Sequence, residues 1–129
     1  MPRSRPRTIV HLIDNDPAVR DSTRLLLQTA GIEVYAYSTA IEFLIAVPLH
    51  EIECVVIDVN LPGMAGIELL DQIRRESITA DAILTTARGD SAGLRAAAAR
   101  TGAAILLKPF KPDHLLAYVK NVLGDRRAR

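Results

Sequence analysis

Asp58 is the residue of this sequence whose position most clearly suggests chemistry. It follows four apolar residues, 54–57, and precedes the turn signal Pro62-Gly63. Because four consecutive apolar residues predict a buried strand, the Asp58 carboxylate stands where that strand opens into a loop. Two other apolar runs end in the same manner, at Asp14-Asn15-Asp16 and at Lys108-Pro109. We expect these three segments to form one site.

The polar side chains at these strand ends suit phosphoryl transfer. Asp14, Asp58, Thr86 and Lys108 each follow or end a predicted strand, and the carboxyl ends of parallel strands share one edge of a sheet. Converging carboxylates repel one another unless a cation joins them, and oxygen ligands without nearby His or Cys favour Mg²⁺ over zinc. A divalent ion, a lysine and a hydroxyl around a carboxylate would let Asp58 attack phosphorus.

The elements that must position these residues alternate along the chain. The predicted strands cover residues 8–13, 32–36, 53–57, 82–85 and 103–107, and the predicted helices cover residues 17–30, 39–46, 66–76, 91–100 and 113–123. Asp16 before Pro17 predicts a capped helix start, and Thr39 with Glu42 has the spacing of a capping box. Five strand–helix repeats favour an α/β fold with a parallel sheet and helices on both faces.

Apolar spacing also predicts which side chains are buried. One face of the first helix should carry Val19, Ser22, Leu25, Leu26 and Ala30. Cys54 is expected to be an inert core thiol. Arg74 and Arg75 are expected to be solvated at a helix end.

Composition limits the class of protein. The 129 residues suit one domain, predicted at 8–124, between basic and flexible ends at 1–7 and 125–129. Without the six arginines of these ends, ten basic side chains face fifteen acidic ones, which argues against a nucleic-acid groove. No apolar run is long enough for a membrane span. A single cysteine fits a cytoplasmic protein without disulfides.

Four segments together resemble the receiver domain of response regulators in bacterial two-component signalling, particularly the type found in nitrogen-fixation regulators. They are residues 12–20, 56–64, 84–87 and 108–110, and the resemblance extends from about residue 8 to residue 123. The resemblance implies a flavodoxin-like (βα)₅ fold with strand order 2-1-3-4-5. It also implies a signalling domain that promotes its own phosphorylation and dephosphorylation, rather than an enzyme.

The resemblance assigns a role to each site residue. Asp58 would accept a phosphoryl group from the phosphohistidine of a sensor histidine kinase or of a histidine phosphotransfer protein. The residues expected around Mg²⁺ are Asp14, Asn15, Asp16, Asp58 and Asn60. The residues expected to bind the phosphoryl group are Thr86, Ala87 and Lys108, and Pro109 would follow a cis peptide bond.

The resemblance also implies how a signal would leave the domain. A downstream protein would bind the face of helix 4, strand 5 and helix 5, and a homodimer is possible. Nucleic acid would be a partner only through an output domain outside this sequence.

Three features depart from the family pattern, and the first is that Gly102 lies six residues before Lys108 where seven is more common. Asn15 occupies the position of a second acid that binds the metal directly, so we expect weaker Mg²⁺ binding unless Asp16 supplies the carboxylate. Ile105 occupies the switch position, where Tyr or Phe is usual. The last two departures motivate an alternative, a receiver-like binding module that works without phosphorylation. A small aspartate-nucleophile phosphatase is disfavoured because Asn60 cannot act as its general acid.

Overall fold

The computed structural model describes residues 9–77, 79–87 and 91–128, with side chains as far as Asn121. Five strands alternate with five α-helices, and a 3₁₀ turn precedes the third strand. The strands are β1 (Ile9–Ile13), β2 (Glu33–Tyr37), β3 (Cys54–Asp58), β4 (Asp81–Thr86) and β5 (Ala104–Leu107). The helices are α1 (Pro17–Thr29), α2 (Ala40–Ala46), α3 (Gly66–Glu76), α4 (Ala92–Thr101) and α5 (Pro112–Ala128), and the 3₁₀ turn is Leu49–Glu51.

All strand pairs are parallel, and the strands lie in the order β2-β1-β3-β4-β5. The predicted fold class is therefore confirmed. Ile13 pairs with Ile57, and Asp58 pairs with Thr85, so the ends of β1, β3 and β4 are level at one edge of the sheet. No helix in the described part of the chain is long and apolar enough to cross a membrane.

Each face of the sheet has its own hydrophobic core. On the first face, which we call the α3 face, Ile13, Ile57 and Leu84 pack with residues of α2, α3 and α4. On the second, the α5 face, Leu12, Val56 and Ile83 pack with residues of α1 and α5. Because side chains alternate along a strand, each strand contributes to both cores. Cys54 is a buried residue of the second core, as expected.

Local signals in the sequence set most helix starts. The Asp16 carboxylate accepts hydrogen bonds from the backbone N–H groups of Ala18 and Val19, and Pro17 is the first residue of α1. The Thr39 hydroxyl accepts from the N–H of Glu42. The predicted capping box is only half formed, because the Glu42 carboxylate accepts a hydrogen bond from Ser38 instead.

Two expectations on the helices need correction. Leu25 is 61% exposed, whereas Thr23 and Leu27 are buried, so the buried stripe of α1 is rotated from the predicted one. The last helix continues to Ala128, beyond the predicted end at residue 123. The 3₁₀ turn was not predicted. Residues 1–7 and Arg129 lie outside the described residues.

Arg74 is not the solvated side chain that was expected. Its guanidinium donates hydrogen bonds to the backbone carbonyls of Thr101, Ser77 and Ala80. These three carbonyls belong to the end of α4 and to the connection between α3 and β4. Arg74 therefore ties two neighbouring helix ends together, while Arg75 beside it is exposed.

Candidate functional site

The ammonium group of Lys108 brings two strand ends together. Its Nζ lies 2.7 Å from Asp14 Oδ2 and 3.1 Å from Asp58 Oδ2. Asp14 is 2% exposed and Asp58 9% exposed. Ion pairs with so little water access persist only when geometry and hydrogen bonding compensate for desolvation. The predicted convergence of Asp14, Asp58 and Lys108 is therefore present in the structure.

Backbone N–H groups hold the second oxygen of each carboxylate. Asp14 Oδ1 accepts from the N–H of Asp16 at 2.9 Å, and Asp58 Oδ1 accepts from the N–H of Asn60 at 3.0 Å. In both cases the donor is two residues further along the loop, the geometry of an Asx turn. The loop backbone thus fixes the orientation of both acids.

The position of Lys108 depends on its own backbone. Its N–H donates to the carbonyl of Thr86 at 2.7 Å, and its peptide bond with Pro109 is cis. Burial lowers the pKa of Lys108, but the hydrogen bonds and charges of Asp14 and Asp58 outweigh this effect and raise the pKa above its ordinary value. Lys108 is therefore an ammonium at neutral pH.

The remaining predicted residues lie around this centre in different ways. Thr86 ends β4 and is buried, while Asn15, Asn60 and Ala87 are exposed on the loops beside it. Ile105 is half buried and packs against the core of the α3 face. Residues 88–90, which follow Ala87 in the sequence, lie outside the described residues.

Asp16 does not join the two buried carboxylates. Its side chain is exposed and engaged in capping α1, so only its backbone N–H faces Asp14. Among the described residues, no group of three or more His, Cys, Asp or Glu side chains could hold a metal ion. The Asp16 carboxylate caps α1 in this structure, and its role as a third acidic ligand stays a prediction.

The remaining donors still fit a hard divalent cation. Two buried carboxylates face one ammonium, so the centre carries an excess of one negative charge. Asn15, which is exposed beside them, carries an amide oxygen. Carboxylate and amide oxygens are the ligand types that Mg²⁺ prefers.

Two residues of the site were not predicted. The Arg20 guanidinium donates to the backbone carbonyl of Asp14 at 2.9 Å and ties α1 to the end of β1. The Thr85 hydroxyl is buried beside Asp58. Arg20 lies in one of the matching segments, but its spacing from Asp14 does not predict their contact, because the contact depends on how α1 packs beside β1. Thr85 appears in the sequence as an ordinary strand residue.

Comparison with known proteins decides the family. The sequence model of the response regulator receiver domain matches residues 10–120. This chain belongs to that family. Receiver domains are signalling domains rather than enzymes in the ordinary sense, and they use Mg²⁺ in phosphorylation.

Two curated relatives are transcriptional regulatory proteins named FixJ. This chain is 40% identical to FixJ of Azorhizobium caulinodans over 126 residues, which is 96% of this chain and 57% of FixJ. It is 37% identical to FixJ of Bradyrhizobium diazoefficiens over 115 residues, which is 88% of this chain and 56% of that FixJ. The chain thus spans little more than half the length of either protein. These matches confirm the expected likeness to nitrogen-fixation regulators.

Two solved structures show the same fold. A CheY-like receiver domain protein from Methanospirillum hungatei has a TM-score of 0.86 and 28% identity, covering 95% of this chain and 98% of the other. The BeF3-activated receiver domain of DrrB, a Thermotoga maritima protein, has a TM-score of 0.82 and 27% identity, covering 92% and 99%.

Proposed function

We propose that Asp58 is the phospho-acceptor of this receiver and that its phosphorylation changes which protein the domain binds. The observation that carries the proposal is the Lys108 ammonium, which lies 2.7 Å from Asp14 and 3.1 Å from Asp58 at the carboxyl edge of the sheet. The donor is a phosphohistidine on a sensor histidine kinase or a phosphotransfer protein. The family and the half-length match with FixJ support this choice.

In the proposed transfer, a carboxylate oxygen of Asp58 attacks phosphorus. An oxygen–phosphorus bond forms, the nitrogen–phosphorus bond of the donor breaks, and the nitrogen keeps the bonding electron pair. The Lys108 ammonium is drawn toward the transferred oxygens because they carry the larger negative charge. Thr86 and the backbone of Ala87 donate hydrogen bonds to the same oxygens. Later attack by water on phosphorus breaks the bond between the Asp58 oxygen and phosphorus, releases inorganic phosphate and returns the carboxylate. The domain promotes this dephosphorylation as well.

We propose that Asp14, Asp58, the side chain of Asn15 and the backbone carbonyl of Asn60 hold Mg²⁺. The metal would neutralise charge on the transferring group. Asn15 supplies a neutral oxygen where the family has a carboxylate, so we expect weaker metal binding than in a receiver with three acids.

The proposed docking surface for downstream proteins is formed by α4, β5 and α5. Leu107 on β5 is 53% exposed and Tyr118 on α5 is 40% exposed. Exposed large apolar side chains favour protein contact. The same surface could join two copies of the domain. Because this chain matches little more than half of either FixJ relative, and both are transcriptional regulators, contact with DNA is proposed only for an output domain beyond this sequence.

Incubation with acetyl phosphate and Mg²⁺, followed by intact-mass measurement, tests the proposal. We expect the chain to gain the mass of one phosphoryl group, and Asp58→Asn to gain none. Asp21→Asn, which changes an exposed acid on α1, is the matched control and should be phosphorylated normally. If the unmodified chain gains no mass from acetyl phosphate or from a phosphorylated kinase, the proposal is wrong.

One observation favours a second candidate, a binding module that works without phosphorylation. Ile105 packs against the core of the α3 face with an aliphatic side chain, so no aromatic ring at this position can move between inner and outer rotamers. If Asp58→Asn and the phosphorylated wild-type chain bind a partner with equal affinity, this candidate is favoured.

A further inference from the structure

The Thr85 hydroxyl has no hydrogen-bond partner in the part of the chain that the structure describes. Thr85 is 2% exposed, and its Oγ1 is the buried side-chain oxygen left without a partner there. A buried hydroxyl without a partner destabilises the state in which it is unpaired, because it has lost its bonds to water. The unpaired state is therefore the one in which Lys108 occupies both carboxylates.

Strand register places Thr85 beside the proposed phospho-acceptor. Ile83 packs in the core of the α5 face, so Thr85, two residues later, points to the same face. Val56 also packs in that core, and Asp58 follows it by two residues. Thr85 and Asp58 pair directly in the β3–β4 ladder. Their side chains therefore leave the same face of the sheet on adjacent strands.

The strand order also requires the Lys108 side chain to pass over Thr85. Lys108 follows β5, but its ammonium bonds to Asp58 at the end of β3 and to Asp14 beyond β1. Because β4 lies between β5 and β3, the lysine side chain crosses the end of β4. Its backbone N–H is bonded to Thr86, the neighbour of Thr85. Thr85 is the last residue of β4 on the face where the acids lie.

We infer that Thr85 is a positioning residue whose hydroxyl is paired only after Asp58 has been modified. The inference rests on the proposed function. Once a phosphoryl group is attached, the Lys108 ammonium moves to the phosphoryl oxygens and releases the Asp58 side-chain oxygen that it held. The Thr85 hydroxyl then donates a hydrogen bond to the released oxygen. The bond exists in one state and not in the other, so it shifts the equilibrium toward the phosphorylated form.

Beryllofluoride with Mg²⁺ is the probe, because it forms a stable analogue of the aspartyl phosphate. Calorimetric titration gives the dissociation constant, and urea unfolding without the probe gives the stability of the unmodified state. Thr85→Val keeps the shape and removes the hydroxyl, whereas Thr85→Ser keeps the hydroxyl and removes the methyl group. Thr101→Val is the matched control, since the buried Thr101 hydroxyl already donates to Ala97.

Removing the hydroxyl should affect stability and beryllofluoride binding in opposite directions. Thr85→Val should raise the urea midpoint measured without beryllofluoride. It should also weaken beryllofluoride binding by about five- to tenfold, which corresponds to the loss of one hydrogen bond. Thr85→Ser should lower the midpoint and bind within about twofold of the unmodified chain. Thr101→Val should lower the midpoint and leave binding unchanged.

Other outcomes overturn the inference. Unchanged binding by Thr85→Val would show that the hydroxyl is unpaired in both states. Equal weakening by Thr85→Val and Thr85→Ser would show that the hydroxyl is not what matters. If the unmodified chain does not bind beryllofluoride at all, the proposed function itself fails, and the inference fails with it.

Discussion

Gly66 provides the sharpest test of how closely α3 approaches the phospho-acceptor. A Cβ at this position would lie 2.2 Å from the backbone oxygen of Asp58, and 2.9 Å from both the Asp58 carbonyl carbon and Val59 Cα. All three are main-chain atoms at the end of a buried strand, so none can move aside like the tip of a flexible side chain. Gly66→Ala must therefore separate α3 from β3.

The size of the effect follows from these distances. An ordinary Cβ contact begins at 3.4 Å, so the helix start or the strand end must move by about 1 Å. This movement strains the Gly66 N–H hydrogen bond to Val59 at 3.0 Å. It also shifts Leu69 and Leu70, which are fully buried. Overpacking and the weakened hydrogen bond together should reduce the free energy of unfolding by about 3 kcal/mol.

Two other glycines separate this clash from the general effects of replacing glycine. Gly93 lies in α4 with nothing within 4 Å of its ideal Cβ, so Gly93→Ala should stabilise the chain by about 0.5 kcal/mol through helix propensity. Gly31 has equally open space but a φ of +83°, so Gly31→Ala should cost about 1 kcal/mol in backbone strain.

Urea unfolding followed by far-UV circular dichroism measures all three variants, since the chain has no tryptophan. The expected order of stability is Gly93→Ala, the unmodified chain, Gly31→Ala and then Gly66→Ala. We also expect Gly66→Ala to reduce phosphorylation by acetyl phosphate, because the clash displaces the Asp58 backbone. A Gly66→Ala variant within about 0.5 kcal/mol of the unmodified chain would refute the reasoning.

Three further predictions concern charged groups. Lys108→Met leaves two buried carboxylates without their cation and should reduce the free energy of unfolding in urea by about 3 kcal/mol. Lys120→Met, at an exposed position, should reduce it by less than about 0.5 kcal/mol. Similar reductions in the two variants would contradict the stabilising role of the Lys108 ion pairs. Burial lowers the pKa of His11 below 6.5, so the folded state holds the neutral ring and stability falls as pH drops below 6.5. His11→Phe should reduce the loss of stability as pH drops below 6.5; parallel pH curves for His11→Phe and the wild-type chain would exclude His11. Asp16→Ala should cost about 1 kcal/mol as a lost helix cap, and Asp16→Asn should restore most of it; a full loss in both variants would argue against capping.

Local sequence patterns were sufficient for the helices and strands. The apolar runs before Asp14 and Asp58, and the cap at Asp16, act over a few residues, so the elements that they predict lie within a few residues of the observed ones. Alternation of strands and helices was sufficient for the α/β class. The strand order came from resemblance to a family, because periodicity within one strand does not identify its neighbours.

The candidate site also combines features that local sequence predicts with features that depend on the tertiary structure. The sequence alone determined that Asp14, Asp58 and Lys108 stand at strand ends, because strand ends are local features. Only the tertiary structure decided that Arg20 binds the Asp14 carbonyl, and that the buried Thr85 hydroxyl has no partner in the described part of the chain. Each of these depends on which groups lie within about 3 Å of one another, a distance that hydrogen bonding requires and that spacing along the chain does not encode.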